Sequence, residues 1–154
     1  MYIEIHQEKQ KLDNLFKKVS VLDDDEMKSH WSRYLCVLVS GFLENSLRTM
    51  LSHYTLSKSH PNVANYVSKQ IKGITNLKEK KVKQLLGSFS KDWQDIFEKN
   101  ISGEQKAAVD SIVANRHLIV HGVSVGITYS RVSEYYKHIK DVISIIHDTC
   151  INSP

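Results

Sequence analysis

Proline and glycine are scarce in this chain, whose 154 residues include two prolines and six glycines. Sandwiches and barrels of β-strands need a turn about every eight to twelve residues, and turns draw heavily on both residue types. The shortage therefore favours an all-α fold. Long apolar runs are absent too: no stretch approaches the roughly 18 residues of a membrane span, and the start of the chain lacks the features of a signal peptide. We therefore expect a cytoplasmic protein that does not enter a membrane.

Cysteine is also rare, with Cys36 inside an apolar run and Cys150 near the C-terminus. This spacing matches neither a disulfide framework nor a zinc site built from paired cysteines. The chain lacks a glycine-rich phosphate loop and a recognisable pair of catalytic carboxylates, so nucleotide hydrolysis and glycosidase chemistry have no support. Six histidines show no helical spacing joined to a glutamate base: His6, His30, His53, His60, His138 and His147. We therefore expect no metal and no cofactor.

Charge is nearly balanced, with 21 Lys and Arg residues against 17 Asp and Glu and a net charge of +4. Such a mild excess permits a polyanionic partner such as RNA but does not establish one. The segment 69–91 is locally rich in lysine, and Glu79 is its only acid. It is most simply a solvated helix face. The alternative is RNA binding by four of its lysines: Lys78, Lys80, Lys81 and Lys83.

Apolar residues recur at intervals of three and four, which predicts a compact bundle of about five to seven helices in a single domain over residues 1–154. The clearest stripe, which includes Tyr34, predicts a long central helix over 29–56. The acidic run 23–26 before it belongs to a solvated loop or to the start of that helix. The other predicted elements are a short helix around 12–19, a loop at 58–62 that contains Pro61, helical segments 63–71, 77–86 with a stop at Gly87, and 91–98, and a last helix from about residue 128 or 130.

The penultimate helix is marked at both ends. Ser102 and Gln105 have the spacing of a capping box, which predicts a helix start there. Gly122 is a natural stop after His121. The predicted helix runs through the apolar residues Ala107, Ala108, Ile112, Val113, Leu118 and Ile119.

Arg116 interrupts the apolar face of this helix. Its neighbours three and four positions away are Ile112, Val113, Ile119 and Val120. A charge among such residues needs a partner. One alternative is an acid elsewhere in the chain. The other is an anion such as phosphate, which the planar guanidinium would bind at an interface.

His121 follows Arg116 by five positions, so the two side chains straddle the predicted helix end. Together they suit metal-free RNA cleavage, because histidine can transfer the proton of the 2′-hydroxyl or leaving group and arginine can stabilise the charged phosphorane. The products would be a 2′,3′-cyclic phosphate and a 5′-hydroxyl end. One histidine is too few for both an acid and a base, so a second copy of the chain would complete the site.

The same spacing recurs at Arg48 and His53. Glu44 lies four positions before Arg48, and the surrounding helix face is polar, so an ion pair between them is predicted. We therefore interpret Arg48 as a structural residue or as one that supports site residues without touching the substrate, and Arg116 as the candidate. For Glu44 the alternative is an assisting role in which it faces Arg116 or the RNA.

The segment 116–122, Arg-His-Leu-Ile-Val-His-Gly, resembles the Arg-x4-His motif of the HEPN superfamily, since it closes the penultimate helix before a last helix that carries tyrosines. Residues 33–45 are similar to the long helix of the RiboL-PSP branch of that superfamily. The resemblance covers most of the chain, and within it only the motif is functionally specific.

The resemblance implies a helical domain that forms a homodimer through its motif-bearing helices. It also implies a metal-independent endoribonuclease in toxin–antitoxin or antiphage defence, with an antitoxin or regulatory protein as a further partner. Arg116 and His121 would be catalytic, and His117, which replaces the commoner asparagine or aspartate, would assist or orient. Val123 stands where the branch paired with nucleotidyltransferase antitoxins carries tyrosine, so that antitoxin mechanism is not supported.

Three functions are compatible with these residues, and an RNA-cleaving homodimer is the leading hypothesis. A dimer of the same fold that binds RNA or nucleotides without cutting is the first alternative. The second is a protein-interaction dimer in which Arg116 pairs with an acid. Burial of Arg116 against Glu44 or another acid would favour that last alternative, because no phosphate could then reach it.

Overall fold

The computed structural model describes residues 1–152, and every regular element in this range is an α-helix. The predicted all-α fold is confirmed. The described range contains seven helices, the upper end of the predicted number: α1 Ile3–Ser20, α2 Asp25–Lys58, α3 Pro61–Lys72, α4 Glu79–Phe89, α5 Lys91–Asn100, α6 Gly103–Val120 and α7 Tyr129–Ile151. Within residues 1–152, none of these helices combines the length and apolarity that crossing a bilayer requires.

The central element is α2, which contacts α1, α3, α6 and α7. It begins inside the acidic run: the side chain of Asp24 accepts a hydrogen bond from the N–H of Met27 at 2.8 Å, and the next two acids occupy the first turn. Negative charge is favourable there, so the run is the helix start rather than a separate loop. The buried apolar side chains of α2 follow the predicted spacing: Leu35, Cys36, Val39, Phe42, Leu43, Leu47, Met50 and Leu51.

A single cluster of buried apolar side chains draws on all seven helices. Phe16 of α1 stacks on Tyr136 of α7 with ring centroids 4.5 Å apart, and the Tyr136 hydroxyl donates to Asp13 at 2.7 Å. Burial and the Asp13 carboxylate raise the pKa of that hydroxyl. Cys36 and Cys150 are buried free thiols, as expected, and burial raises the pKa of each to about 12.

The first and third helices start earlier than predicted. α1 begins at Ile3 because Ile5 is buried in the core and extends the helix toward the N-terminus. Pro61 does not lie in a loop but is the first residue of α3, where its missing N–H needs no acceptor. The His60 side chain accepts from the N–H of Asn62 at 3.2 Å and caps this helix.

Gly87 does not end α4, which continues to Phe89. A Cβ on Gly87 would lie only 2.7 Å from the Gln94 side chain of α5, so glycine here permits the close packing of α4 on α5. Tyr34 also departs from the prediction: it is half exposed and packs edge-on against Trp31 at 5.6 Å. The Gly87 difference arises from a contact between two helices, which the local sequence pattern does not encode.

Candidate functional site

The Arg-x4-His segment lies at the C-terminal end of α6. The helix starts with the predicted capping box: Ser102 Oγ accepts the N–H of Gln105 at 3.2 Å, and the Gln105 side chain accepts the N–H of Ser102 at 2.9 Å. Two orphan donors are satisfied in this way, which fixes where the helix begins. The start of α7 is also as predicted, since Thr128 caps it by accepting the N–H of Arg131 at 3.2 Å.

The end of α6 is fixed by Gly122, which has a φ of +76°. The N–H of Gly122 bonds to the carbonyl of Ile119 at 3.1 Å, and the N–H of Val123 bonds to the carbonyl of Leu118 at 2.9 Å. This pair of bonds is a Schellman motif, which needs the left-handed conformation that glycine adopts without strain. The predicted stop is confirmed, and His121 is the C-cap residue that directly follows α6.

Arg116 lies where α6 leaves the core. One turn before it Ile112 and Val113 are buried, whereas one turn after it Val120 is exposed. Arg116 as a whole is half-buried, and its Nη1 donates to Oδ1 of Asn76 at 3.4 Å in a solvent-exposed contact. Among the ion pairs formed by residues 1–152, none includes Arg116. Within that range, the alternative of a carboxylate partner for Arg116 therefore has no support.

Asn76 connects Arg116 to α2. Its φ of +55° is the only positive φ of a non-glycine residue in the described range, and asparagine tolerates this conformation better than most side chains. The backbone N–H of Asn76 donates to Oε1 of Glu44 at 3.3 Å while its side chain accepts from Arg116. Glu44 thus positions Asn76, which contacts Arg116. Glu44 itself pairs with Arg48 and not with Arg116.

Glu44 forms the ion pair predicted with Arg48, Oε2 to Nη2 at 3.6 Å. The pair is not on an open polar face as expected, since Glu44 is only 8% exposed. Arg48 also donates to the carbonyl of Ile74 at 2.9 Å, which ties the loop before α4 to α2. His53 stacks on the ring of Tyr2 at 4.2 Å. Both residues of the second Arg-x4-His pair therefore contact other parts of the fold, in agreement with the structural interpretation of Arg48.

His117 and His121 lie one turn apart on the exposed end of α6. Their ring centroids are 4.4 Å apart, and the ring planes are inclined by 58°. Both residues are exposed, and neither side chain has a hydrogen bond or an ion pair to any of residues 1–152. The two rings can therefore act on the same bound group.

The end of α6 also presents apolar side chains to solvent. Leu118, Val120 and Val123 are 39%, 50% and 48% exposed. Ile119, between Leu118 and Val120, still packs against the core, so the exposed apolar side chains lie on the other faces of this helix end.

The four candidate lysines do not share one environment. Lys83 forms an ion pair with Glu98 of α5 at 2.6 Å and faces the α4–α5 contact. Lys81 donates to a backbone carbonyl of the loop before α4, the loop that holds Arg116. Lys78 and Lys80 are exposed at the start of α4. The fold thus separates Lys83 from the other three.

The sequence analysis did not predict two contacts of this site: the contact between the His117 and His121 rings, and the contact between Asn76 and Arg116. The spacing of four between His117 and His121 was visible and predicts the ring contact on a helix. Asn76 offered a weaker signal, an asparagine in a short connection, where a left-handed residue is common. Its contact with Arg116 spans 40 positions, which no local pattern reveals.

The comparison with family models gives a match over almost the whole chain. The model that matches residues 2–152 is that of the RiboL-PSP-HEPN family. The chain belongs to this family. The predicted membership of the HEPN superfamily is therefore confirmed, including its RiboL-PSP branch. The role of the Arg-x4-His motif at 116–121 stays a prediction. Neither the curated proteins nor the solved structures contain a match to this HEPN chain.

Within residues 1–152 of the HEPN chain, no three or more histidine, cysteine, aspartate or glutamate side chains come together in a group that could hold a metal ion. The groups gathered at the end of α6 are thus one guanidinium, two imidazoles and a neutral amide: Arg116, His117, His121 and Asn76. Such a set can bind an anion and move protons.

Proposed function

We propose that this HEPN protein is a metal-independent endoribonuclease whose active site is formed by two copies of the chain. The observation that carries the proposal is the state of Arg116: the residue is half-buried, and its guanidinium makes a solvent-exposed contact with a neutral amide and has no acidic counter-charge within residues 1–152. A cation held in this way is available to a phosphodiester, whose oxygens match the guanidinium fork. His117 and His121 at the same helix end supply groups that can transfer protons.

In the proposed reaction the 2′-oxygen of the RNA attacks the adjacent phosphorus, and the bond from phosphorus to the 5′-oxygen breaks. His121 accepts the proton of the 2′-hydroxyl, and His121 of the partner subunit donates a proton to the departing 5′-oxygen. Arg116 stabilises the negative charge that develops on the phosphorane. The products are a 2′,3′-cyclic phosphate and a 5′-hydroxyl end. His117, whose ring is 4.4 Å from that of His121, assists or orients it.

The exposed apolar residues on the motif helix support the requirement for two copies. Leu118, Val120 and Val123 flank the two histidines in the chain and stand in solvent in a single copy. Burying such a patch against the same patch of a second copy is favourable, and two-fold symmetry brings both motifs to one place. The homodimer therefore explains both the apolar surface and the second histidine that the reaction needs.

The proposal includes a cytoplasmic role in toxin–antitoxin or antiphage defence. A nuclease that cuts cellular RNA must be restrained, and an antitoxin or other regulatory protein is the expected partner. The exposed Lys78, Lys80 and Lys81 lie on or just before α4, beside the loop that carries Asn76, and support RNA binding next to the motif. Their contribution would weaken as salt increases.

The first test is cleavage of a mixed cellular RNA pool in EDTA by purified wild type, Arg116→Ala and His121→Ala. His6→Ala is the matched control, because His6 is an exposed histidine on α1, far along the chain from the motif. We expect the wild type and the control to cut and to leave 5′-hydroxyl ends, and both motif variants to lose at least about a hundredfold in rate. Melting curves verify that each variant is folded.

Two outcomes of that test contradict the proposal. If the wild type binds RNA but does not cut it, the protein is the non-catalytic RNA-binding dimer. If cutting requires a metal ion and EDTA abolishes it, the chemistry does not depend on the two histidines in the way proposed.

A second test addresses the composite site. Val120→Asp places a charge in the proposed interface, and Val63→Asp is its control because Val63 of α3 is equally exposed, at 51%. We expect the wild type and Val63→Asp to sediment as dimers, and Val120→Asp to become monomeric and to stop cutting RNA. A wild type that is monomeric at micromolar concentration yet cleaves RNA would rule out the shared site.

A further inference from the structure

The two histidines at the end of α6 have the arrangement of a chelating pair. They are separated by four positions on a helix, so both rings leave the same face one turn apart. In metalloproteases, two histidines with this spacing on one helix bind the zinc ion. Two nitrogens bound to one tetrahedral zinc ion at about 2.0–2.1 Å lie about 3.3 Å apart. Ring centroids 4.4 Å apart allow that distance after small rotations of the side chains.

Two further observations favour a cation at this place. The C-terminal end of a helix carries partial negative charge, and His117 and His121 lie in the last turn and at the C-cap of α6. Neither imidazole has a hydrogen-bond or ion-pair partner among residues 1–152, so no existing contact must be broken. The pair is also open to solvent, which leaves room for water molecules on the remaining coordination positions.

We propose that His117 and His121 bind one borderline divalent metal ion, such as Zn²⁺, and that the bound ion inhibits the nuclease. Imidazole nitrogen is a preferred ligand of zinc. Within a single copy, no third histidine, cysteine or carboxylate of residues 1–152 completes the site, so one copy supplies two ligands and its binding of the ion is weak and reversible rather than structural. The inhibition rests on the proposed function, since a nitrogen that coordinates a metal cannot accept the proton of the 2′-hydroxyl.

The binding step is tested by calorimetry with Zn²⁺ alone, using full-length Arg116→Ala, which keeps both histidines and does not depend on nuclease activity. We expect about one ion per chain, and a loss of affinity of about tenfold or more when His117→Ala or His121→Ala is added, since even supporting partners of metal ligands contribute that much. His6→Ala is the control and should bind as tightly as its parent. Equal Zn²⁺ affinity in all four proteins would overturn the chelate.

The inhibition step is tested by comparing cleavage in Zn²⁺ with cleavage in EDTA. The wild type should be inhibited by Zn²⁺ and fully restored by excess EDTA. His117→Asn keeps a polar side chain but loses one ligand, so inhibition of its remaining activity should need about tenfold more Zn²⁺. Identical Zn²⁺ sensitivity of the wild type and His117→Asn would overturn the inhibitory role.

The two proposals fail in different ways. If the chain binds Zn²⁺ through both histidines but the wild type never cuts RNA in EDTA, the metal site is supported and the proposed nuclease activity is contradicted. If the wild type cuts RNA but calorimetry detects no Zn²⁺ binding that depends on His117 and His121, the nuclease stands and the chelate does not.

Discussion

Asn76 and Arg116 are 40 positions apart in the chain, and their side chains meet, with Nη1 of the arginine donating to Oδ1 of the asparagine at 3.4 Å. The contact gives the guanidinium a fixed direction without neutralising its charge. The backbone of Asn76 is in turn held by the carboxylate of Glu44, which lies on α2. The position of Arg116 therefore depends on a short loop and on the central helix as well as on its own helix.

Two substitutions of Asn76 should distinguish how much RNA cleavage depends on the orientation of the Arg116 guanidinium and how much on its unneutralised charge. Asn76→Gly adopts a φ of +55° without strain but removes the side-chain contact, so we expect an unchanged melting temperature and about a tenfold loss of RNA cleavage. Asn76→Asp supplies a counter-charge that competes with phosphate, so cleavage should fall further. Cleavage rates and thermal melts of the two variants check this, and equal rates in wild type and Asn76→Asp would contradict it.

The buried pair of Glu44 and Arg48 should matter more for stability than exposed pairs do. Glu44→Gln leaves the half-buried Arg48 without its counter-charge, and we expect a loss of about 1–3 kcal/mol. Glu26→Gln breaks a matched pair four positions apart, with the exposed His30, and should change almost nothing. Urea unfolding of both variants measures the difference. Equal unfolding midpoints would show that the buried carboxylate adds no stability.

Gly122 should be required for its conformation rather than for its small size. No atom lies within 4 Å of a Cβ built on Gly122, but its φ of +76° is unfavourable for alanine. Gly122→Ala should therefore cost about 1 kcal/mol and displace His121, lowering cleavage. Gly126→Ala is the control, because its Cβ also meets no atom within 4 Å and its φ is not left-handed. The prediction fails if the two variants melt at the same temperature.

Asp13 should make the stability depend on pH in the acidic range. Burial raises the pKa of its carboxyl, but hydrogen bonds from Lys9 and Tyr136 and the charge of Lys140 outweigh this and hold the pKa below its ordinary value of 3.8. A lowered pKa in the folded state means that stability is present above pH 3.8 and is lost as the pH falls through the folded value.

Asp13→Asn should therefore be less stable than the wild type at pH 7, by about 1–2 kcal/mol. The difference should shrink as the pH falls below the ordinary carboxyl value of 3.8, because the wild type then loses the same charge. Urea unfolding at a series of pH values gives this comparison. Asp23→Asn, at an exposed position before α2, serves as control and should follow the wild type at every pH.

Much of the fold was predictable because its signals are local. The periodic apolar residues of α2, the capping box at Ser102 and the stop at Gly122 each depend on residues no more than five positions apart, and the structure agrees with all three. The family was predictable for the same reason, since the resemblance rested on two short segments, 33–45 and 116–122, and the family match agrees with it. The catalytic roles of Arg116 and His121 stay predictions.

The sequence by itself determined the helical class, the ends of α6 and the placement of Arg116, His117 and His121 on one helix end, because hydrogen bonds within a turn act between near neighbours. Only the tertiary structure decided that Gly87 allows α4 to pack closely on α5, that Glu44 is buried, and that Asn76 rather than an acid contacts Arg116. Those outcomes depend on which surfaces approach in space. Which partner a side chain contacts then depends on packing between residues that are many positions apart in the chain. The spacing of residues along the sequence does not indicate such a contact.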